Sequence, residues 1–460
     1  MNIELINTGS ELMLGRVLNS HQQWICRQLA DQGWVVTRQV AVDDNAEMIR
    51  EAVQEALRRA DLIITTGGLG PTSDDRTRDV IAALLGLSLQ RDEAALRHIE
   101  KFFTARGRPM PRSAEVQALV PAGATVLSNA FGTAPGLVMR VAPGKGSLLV
   151  MLPGPPRELR PMFSRQVLPL LRKSLPPQPA YFCRTLRSTG IPESRMEEAI
   201  APALAPLVAA GLDLGYCARP GEVDVRLAAR DGGPGIAAPL PAAPPNPPQA
   251  LGIRDTVTQG DCTSASHQSS CPPSAEAIVT QAEQIVRQLV GEAIYGTEDD
   301  LIEEVVVHQL TERHQTLACA ESCTGGLIAN RITNVPGASQ VFWGGWVTYA
   351  NAAKEQLIGV RPETLAQHGA VSEPVVREMA EGARARSQAD YALAVTGIAG
   401  PSGGTRDKPV GTVFIALATG RQTLVRQFLN TFERDTFKHV TSQQALEMLR
   451  QELEASPPRR

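Results

Sequence analysis

Short apolar runs alternate with stretches in which apolar residues recur every three or four positions, and the alternation continues along most of the chain. Ile3–Asn7, Val35–Val42 and Asp61–Thr66 read as strands. His21–Gln32, Ala46–Arg59 and Thr72–Leu85 read as helices, the first stopped by Gly33 and the last by Gly86. Strand followed by helix in this order implies a parallel sheet covered on both faces, with ligands at the carboxyl ends of its strands. After the Pro-rich joint Leu175–Pro179, Tyr181–Thr189 and Glu222–Arg230 read as strands, and Glu193–Leu207 and Ala275–Val290 as helices. An α/β pattern then resumes. Leu301–His314, Thr324–Thr333, Ala352–Ile358, Glu373–Arg386 and Glu433–Glu454 are expected to be helical, and Thr316–Glu321, Val341–Tyr349, Tyr391–Thr396, Gly411–Ala418 and Thr423–Leu429 extended. No repeat of solenoid period is present.

With 460 residues the chain exceeds one ordinary core. The expected division is a domain over 1–174, a small α+β domain over 175–296 and an α/β domain over 297–460. Inside the middle domain, residues 231–274 are rich in Pro, Ser, Thr and Gln and too poor in large apolar residues to offset their ordering entropy, so a disordered insertion is expected. Its Cys262, His267 and Cys271 lack the tight spacing of a metal site. A net charge of -3 excludes a global attraction to nucleic acid or an anionic membrane. Seven cysteines without a C-x-x-C pair argue against a disulfide framework and for a reducing compartment. The chain enters a strand-like run at once with no basic leader, and no segment approaches ~18 unbroken apolar residues, so a soluble cytoplasmic protein is expected.

The candidate chemistry begins at Leu317–Gly326, an apolar run that ends in Ser322 and the pair Gly325, Gly326. Such a stretch delivers a nucleophile at the end of a strand and leaves free N–H groups for an anion or oxyanion; Lys354, further on, is a candidate base. The plainer alternative makes Ser322 or Thr324 a helix cap and Lys354 a solvated residue. In the N-terminal domain, Thr65–Asp75 places Gly67, Gly68, Gly70 and Thr72 between a strand and a helix, a setting that receives anions. Asp74 and Asp75, joined by Glu11, Asp43 and Asp44, can hold a divalent metal ion, or Asp74 and Asp75 simply complement the helix dipole.

Four motifs then give a resemblance. Ala320-Glu-Ser-Cys-Thr-Gly-Gly326, Val347-Thr-Tyr-Ala-Asn351 with Lys354, His368-Gly-Ala-Val-Ser-Glu373, and Val395–Gly404 followed by Lys408-Pro-Val-Gly-Thr412 resemble the C-terminal domain of the CinA family. Members of that domain family hydrolyse the carboxamide of nicotinamide mononucleotide to nicotinate mononucleotide and ammonia. The resemblance assigns a Ser–Lys pair to Ser322 and Lys354, with Tyr349 and Thr324 beside it, and needs no cofactor. Gly325, Gly326, Gly397, Gly400 and Arg434 are the expected substrate-binding positions. Asn430–Glu433 and Lys438 depart from the family pattern, and Lys438 lacks the planar fork of an arginine.

Gly9-Ser-Glu-Leu12, the Thr66–Asp75 loop, Gly132–Gly136 and Leu152–Glu158 resemble the molybdopterin-binding fold at the front of CinA proteins, some of which are metal-dependent ADP-ribose pyrophosphatases. The middle domain occupies the place of a KH-like linker. Its Gly190-Ile-Pro-Glu193 lacks the G-x-x-G clamp, so nucleic acid is not an expected partner. The implied function is nicotinamide-nucleotide amidase acting on a small pyridine nucleotide, in a homodimer without membrane contact. The alternatives are the pyrophosphatase, alone or in addition, and a non-catalytic nucleotide- or molybdopterin-binding scaffold.

Overall fold

The computed structural model describes residues 1–141, 146–232 and 273–456. The insertion expected over 231–274, with Cys262, His267 and Cys271, lies outside the described residues apart from its ends. Two compact units are present, Met1–Tyr181 and Phe182–Arg460.

The first unit is built on a six-stranded sheet in the order Arg38–Val42, Ile3–Thr8, Leu62–Thr66, Leu148–Leu152, Gly136–Arg140, Thr125–Leu127. The first four strands run parallel, and the last two are antiparallel additions, so the sheet is mixed. Side chains alternate between its faces. Ile3, Leu5, Leu62, Ile64 and Val150 enter one apolar cluster, and Ile6, Ile63, Leu149 and Met151 enter the other. Burial on both faces explains why the central strands read as unbroken apolar runs.

After the strand Leu62–Thr66 the chain turns through Gly67 and Gly68, at φ 96° and 67°. A Cβ at Gly67 would lie 2.6 Å from the Thr8 carbonyl oxygen, and one at Gly68 would lie 2.1 Å from Thr77 Oγ1, so no larger residue fits the turn. The helix expected from Thr72 starts only at Thr77 and runs to Leu84. The physical reason is local competition: Asp75 Oδ2 accepts from the Thr72 N–H at 3.0 Å and from its hydroxyl, which folds residues 72–75 into a side-chain turn. Asp74 and Asp75 therefore precede the helix and do not sit in its first turn.

The second unit carries two sheets. Tyr181–Thr189, Glu193–Ala209, Asp213–Arg219, Glu222–Arg230, Ala275–Val290 and Ile294–Thr297 follow one another as β-α-β-β-α-β, with sheet order Asp213–Arg219, Glu222–Arg230, Tyr181–Thr189, Ile294–Thr297. This is the ferredoxin-like split βαβ connectivity. A buried polar chain ties it to the next sheet. Arg331 donates to Glu303 Oε2 at 2.6 Å and to Gln443 Oε1 at 2.7 Å, and Gln443 Nε2 donates to Glu222 Oε1 at 3.1 Å.

The five-stranded sheet has the order Phe342–Val347, Leu317–Glu321, Tyr391–Gly397, Thr412–Ala418, Thr423–Leu429. Its first three strands are parallel and the remainder antiparallel. Helices Ile302–Arg313, Leu327–Thr333 and Arg434–Ala455 pack on one face, with Val306, Leu310, Ile328 and Leu446 in the core. Asn351–Ile358, Pro362–His368 and Glu373–Ser387 cover the other, with Ile358, Leu365, Val376 and Met379. Three parallel strands thus end side by side at one edge. There the three loops that follow them can share a ligand.

Candidate active site

Ser322 directly follows the strand Leu317–Glu321 and still belongs to its ladder, since its N–H donates to the Val395 carbonyl at 3.1 Å. On the opposite side, the Thr348 N–H donates to the Glu321 carbonyl at 2.8 Å and fixes the end of the neighbouring strand. The short helix Asn351–Ile358 then turns Lys354 back toward that edge. Its Nζ lies 3.1 Å from Ser322 Oγ, 2.9 Å from the Thr348 carbonyl and 3.3 Å from the Tyr349 carbonyl.

Ser322 is 8% exposed and Lys354 1%. Lys354 is therefore not a solvated lysine, and burial pushes its pKa down from the usual 10.5. Its partners are one hydroxyl and two carbonyls, none of them acidic. Nζ donates in all three contacts; once burial has released its proton, two N–H bonds can still serve the carbonyls and the lone pair can take the Ser322 proton. Such an arrangement can withdraw a proton from a serine near neutral pH.

Neither Ser322 nor Thr324 caps the following helix. That helix begins at Leu327 with Gly326 as its N-cap residue, and the carboxylate of Glu321 gathers its amides. Glu321 Oε2 accepts from Gly326 N at 3.0 Å, Ile328 N at 3.0 Å and Thr324 Oγ1 at 2.7 Å, while Oε1 accepts from Ala329 N at 2.8 Å. Gly325 and Gly326, at φ 63° and 95°, permit this turn.

Three expected placements change as a result. Thr324 is fully buried with its hydroxyl on Glu321 and does not line the cleft. The Gly325 N–H donates to the Ser322 carbonyl at 3.1 Å, and the Gly326 N–H is held by Glu321, so neither glycine amide faces a substrate. Glu321 itself carries no sequence signal of this role. A lone acid at the end of an apolar run reads as the solvated end of a strand.

The cleft above Ser322 encloses ≈ 310 Å³ and is lined by Ser322, Cys323, Tyr349, Lys354, Gly397, Gly400 and Arg434, among others. That is the size of a small-ligand site. Ser402 and Gly403, within the Gly-rich loop after the strand Tyr391–Gly397, also line it, as do Asn351, Ala370 and Val371, to which sequence reading gave no role. Arg434 donates to the Gly400 carbonyl at 2.9 Å and to the Tyr349 hydroxyl at 2.7 Å, which places its guanidinium between two walls of the cleft. Lys438 does not line the cleft, so the missing fork there touches the site less than its position in the pattern suggests.

Cys319 and Cys323 are buried packing residues. Burial raises the Cys319 thiol well above its usual range and pushes Cys323 up to about 12. Both stay protonated at neutral pH. Iodoacetamide at pH 7.5 is expected to modify the exposed Cys183 and Cys217 while leaving Cys319 and Cys323 unlabelled, as peptide mass spectrometry of the treated protein would show.

In the first unit, Gly67, Gly68, Gly70, Asp74, Asp75, Glu11, Asp44 and Glu158 line a separate cleft of ≈ 340 Å³. Thr72 does not line it, being turned to Asp75. Ser10 holds Asp44 through its N–H at 2.8 Å and its hydroxyl at 3.1 Å, and its hydroxyl also bonds Asp43. The metal set expected from Asp74, Asp75 and Glu11 is not assembled: among the described residues no group of three or more His, Cys, Asp or Glu is placed to share an ion. A larger cavity of ≈ 640 Å³ lies between Thr189–Glu193 and the strand Thr423–Leu429. It holds no lysine among its described lining residues. No helix among the described residues is long and apolar enough to cross a membrane.

Comparison with known proteins agrees with this layout. The family model for the CinA C-terminal domain matches residues 299–453, and that for a probable molybdopterin binding domain matches residues 4–173. A putative competence-damage inducible protein of Moorella thermoacetica is 40% identical over 462 residues, covering 99% of each chain. A CinA-like protein of Akkermansia muciniphila is 42% identical over 449 residues, covering 97% of this chain and 96% of its own. Among solved structures, the competence/damage inducible protein CihA of Agrobacterium tumefaciens is 42% identical, covers 32% of this chain and 91% of its own, and has a TM-score of 0.32.

Proposed function

The chain belongs to the CinA family, and from that premise together with the buried Ser322–Lys354 contact we propose that it hydrolyses the carboxamide of nicotinamide mononucleotide. The observation that carries this reading is the 3.1 Å approach of a nearly unexposed amine to a serine hydroxyl, with no acid to hold the amine charged. A carboxamide is a weak electrophile with a poor leaving group, so it demands a deprotonated nucleophile and a proton for the departing nitrogen.

Ser322 Oγ attacks the carbonyl carbon while Lys354 Nζ takes its proton. The tetrahedral oxyanion then collapses, the C–N bond breaks, and the Lys354 ammonium returns the proton to the leaving nitrogen as ammonia. An ester on Ser322 remains. Water attacks it, with Lys354 again the base, and releases nicotinate mononucleotide. Cys323 follows the nucleophile along one wall of the cleft, and the oxyanion requires a hydrogen-bond donor beside Ser322. No step uses a metal ion, so ammonia release is expected to persist in EDTA.

The loop Gly397–Gly403 faces the same cleft and suits a 5′-phosphate. Arg434→Lys loses the planar fork that bridges Gly400 and Tyr349. It is expected to raise KM by about ten-fold while kcat falls less than about three-fold, in steady-state ammonia assays.

The N-terminal cleft supports a narrower reading. Glu11, Asp44, Asp74, Asp75 and Glu158 line it, with no lysine or arginine among its described lining residues. An anionic nucleotide enters such a field only when a cation offsets it. Among the described residues no preformed metal set is present, and no catalytic step is assigned there. ADP-ribose is expected to bind in the presence of magnesium and not in EDTA, and titration calorimetry checks this. Binding without a cation would discard the electrostatic argument.

A further inference from the structure

We propose that Glu321 is a positioning residue for the Ser322–Lys354 pair, its carboxylate fixing the turn from which Ser322 projects. This inference rests on the amidase reading of the same cleft.

Glu321 is 1% exposed, yet it lies on no ion pair with Lys354, whose partners are Ser322, Thr348 and Tyr349. Its side chain is instead satisfied locally: the Cys319 thiol donates from the strand at 3.6 Å, and four donors come from the turn and helix start, Thr324 Oγ1, Gly326 N, Ile328 N and Ala329 N. These four donors span the whole turn between the nucleophile and the helix Leu327–Thr333. The backbone of Glu321 acts on the other partner. Its carbonyl accepts from Thr348 N at 2.8 Å, and Thr348 in turn offers the carbonyl that holds Lys354 Nζ at 2.9 Å.

One residue therefore stands between both members of the pair. Its side chain sets the turn behind Ser322, and its main chain sets the register of the segment that aims Lys354. The four bonds also neutralise the carboxylate's demand for a cation, so a buried acid close in sequence to Ser322 does not capture the lysine as a partner. A residue that merely capped a helix would affect the amount of folded protein. A positioning residue affects the rate of each folded site.

A fluorophosphonate probe separates the two without using the proposed substrate. Ser322 Oγ forms a bond to phosphorus, the P–F bond breaks, fluoride leaves and the serine proton passes to Lys354. Label incorporated at completion counts competent sites, and the time course gives the rate per site. Glu321→Gln is expected to slow labelling per site by about ten-fold or more, because its amide N–H₂ opposes the gathered donors and displaces the turn. Thr324→Val, which removes a single donor at nearly constant volume, is expected to slow it by about three-fold. Both variants should keep KM for nicotinamide mononucleotide within about two-fold of wild type, with the loss in kcat.

Unchanged labelling rates per site, or a rise in KM at constant kcat, would overturn the inference. Should Glu321→Gln fail to fold, Thr324→Val decides it. A wild-type protein that labels at Ser322 but releases no ammonia removes the substrate reading and leaves the labelling rates to judge Glu321 alone.

Discussion

Ser322→Ala is expected to lower ammonia release from nicotinamide mononucleotide by about 10⁴-fold or more, with the folded protein unchanged. The substitution removes one oxygen from a residue that is 8% exposed, and its N–H bond to the Val395 carbonyl is a backbone contact that alanine keeps. The lost hydroxyl leaves Lys354 with its two carbonyl partners. Thermal melting should therefore stay close to wild type. The neighbouring thiols offer no rescue, because Cys323 is pushed up to about 12 and supplies almost no thiolate at neutral pH.

Lys354→Met is the second large effect, an expected loss of about 10³-fold in kcat/KM. Methionine fills similar buried volume but cannot take a proton. The bonds to the Thr348 and Tyr349 carbonyls are lost, while the penalty of burying an ionisable amine also disappears, so net stability should change by no more than about 2 kcal/mol. Wild-type kcat/KM should rise with pH and level off above a midpoint that lies below 10.5, since burial lowers the Lys354 pKa.

Stability carries the same signature. Between the depressed folded pKa of Lys354 and its unfolded value, the unfolded chain binds more protons than the folded one, so stability increases with pH across that window. Below the folded pKa the penalty is constant. Denaturant titrations of wild type and Lys354→Met over alkaline pH should show this rise as the difference between the two proteins, because the decline due to the raised Cys319 and Cys323 thiols is common to both.

Much of this architecture was legible because propensity and capping agreed with the tertiary demand. Ala46–Arg59 has Asn45 accepting from Glu47 N, and Ala275–Val290 has Ser274 accepting from Ala277 N, so both helices start where their sequences say. Tyr181–Thr189, Glu222–Arg230 and Thr423–Leu429 have the ends their apolar runs suggest. Asp213–Arg219 went unread because most of its residues are half-buried or exposed, so no alternation marks it.

Where local side chains compete with the backbone, the pattern misled. Asp75 diverts Thr72 from the helix, and Glu321 takes amides that a glycine-rich turn seemed to reserve for substrate. Lys354 was placed by its motif alone. Its burial depends on the nearby Thr348 and Tyr349 carbonyls holding the amine and on the Thr348 N–H pairing with the Glu321 carbonyl across the sheet, a long-range contact with no periodic trace.

The most direct measurement is a quenched single-turnover reaction with nicotinamide mononucleotide, followed by peptide mass spectrometry. A nicotinate mononucleotide ester on the peptide bearing Ser322, formed in EDTA and absent from Ser322→Ala, is the predicted result. An adduct on another residue, or undiminished ammonia release from protein whose Ser322 has been blocked by a fluorophosphonate, would contradict the account.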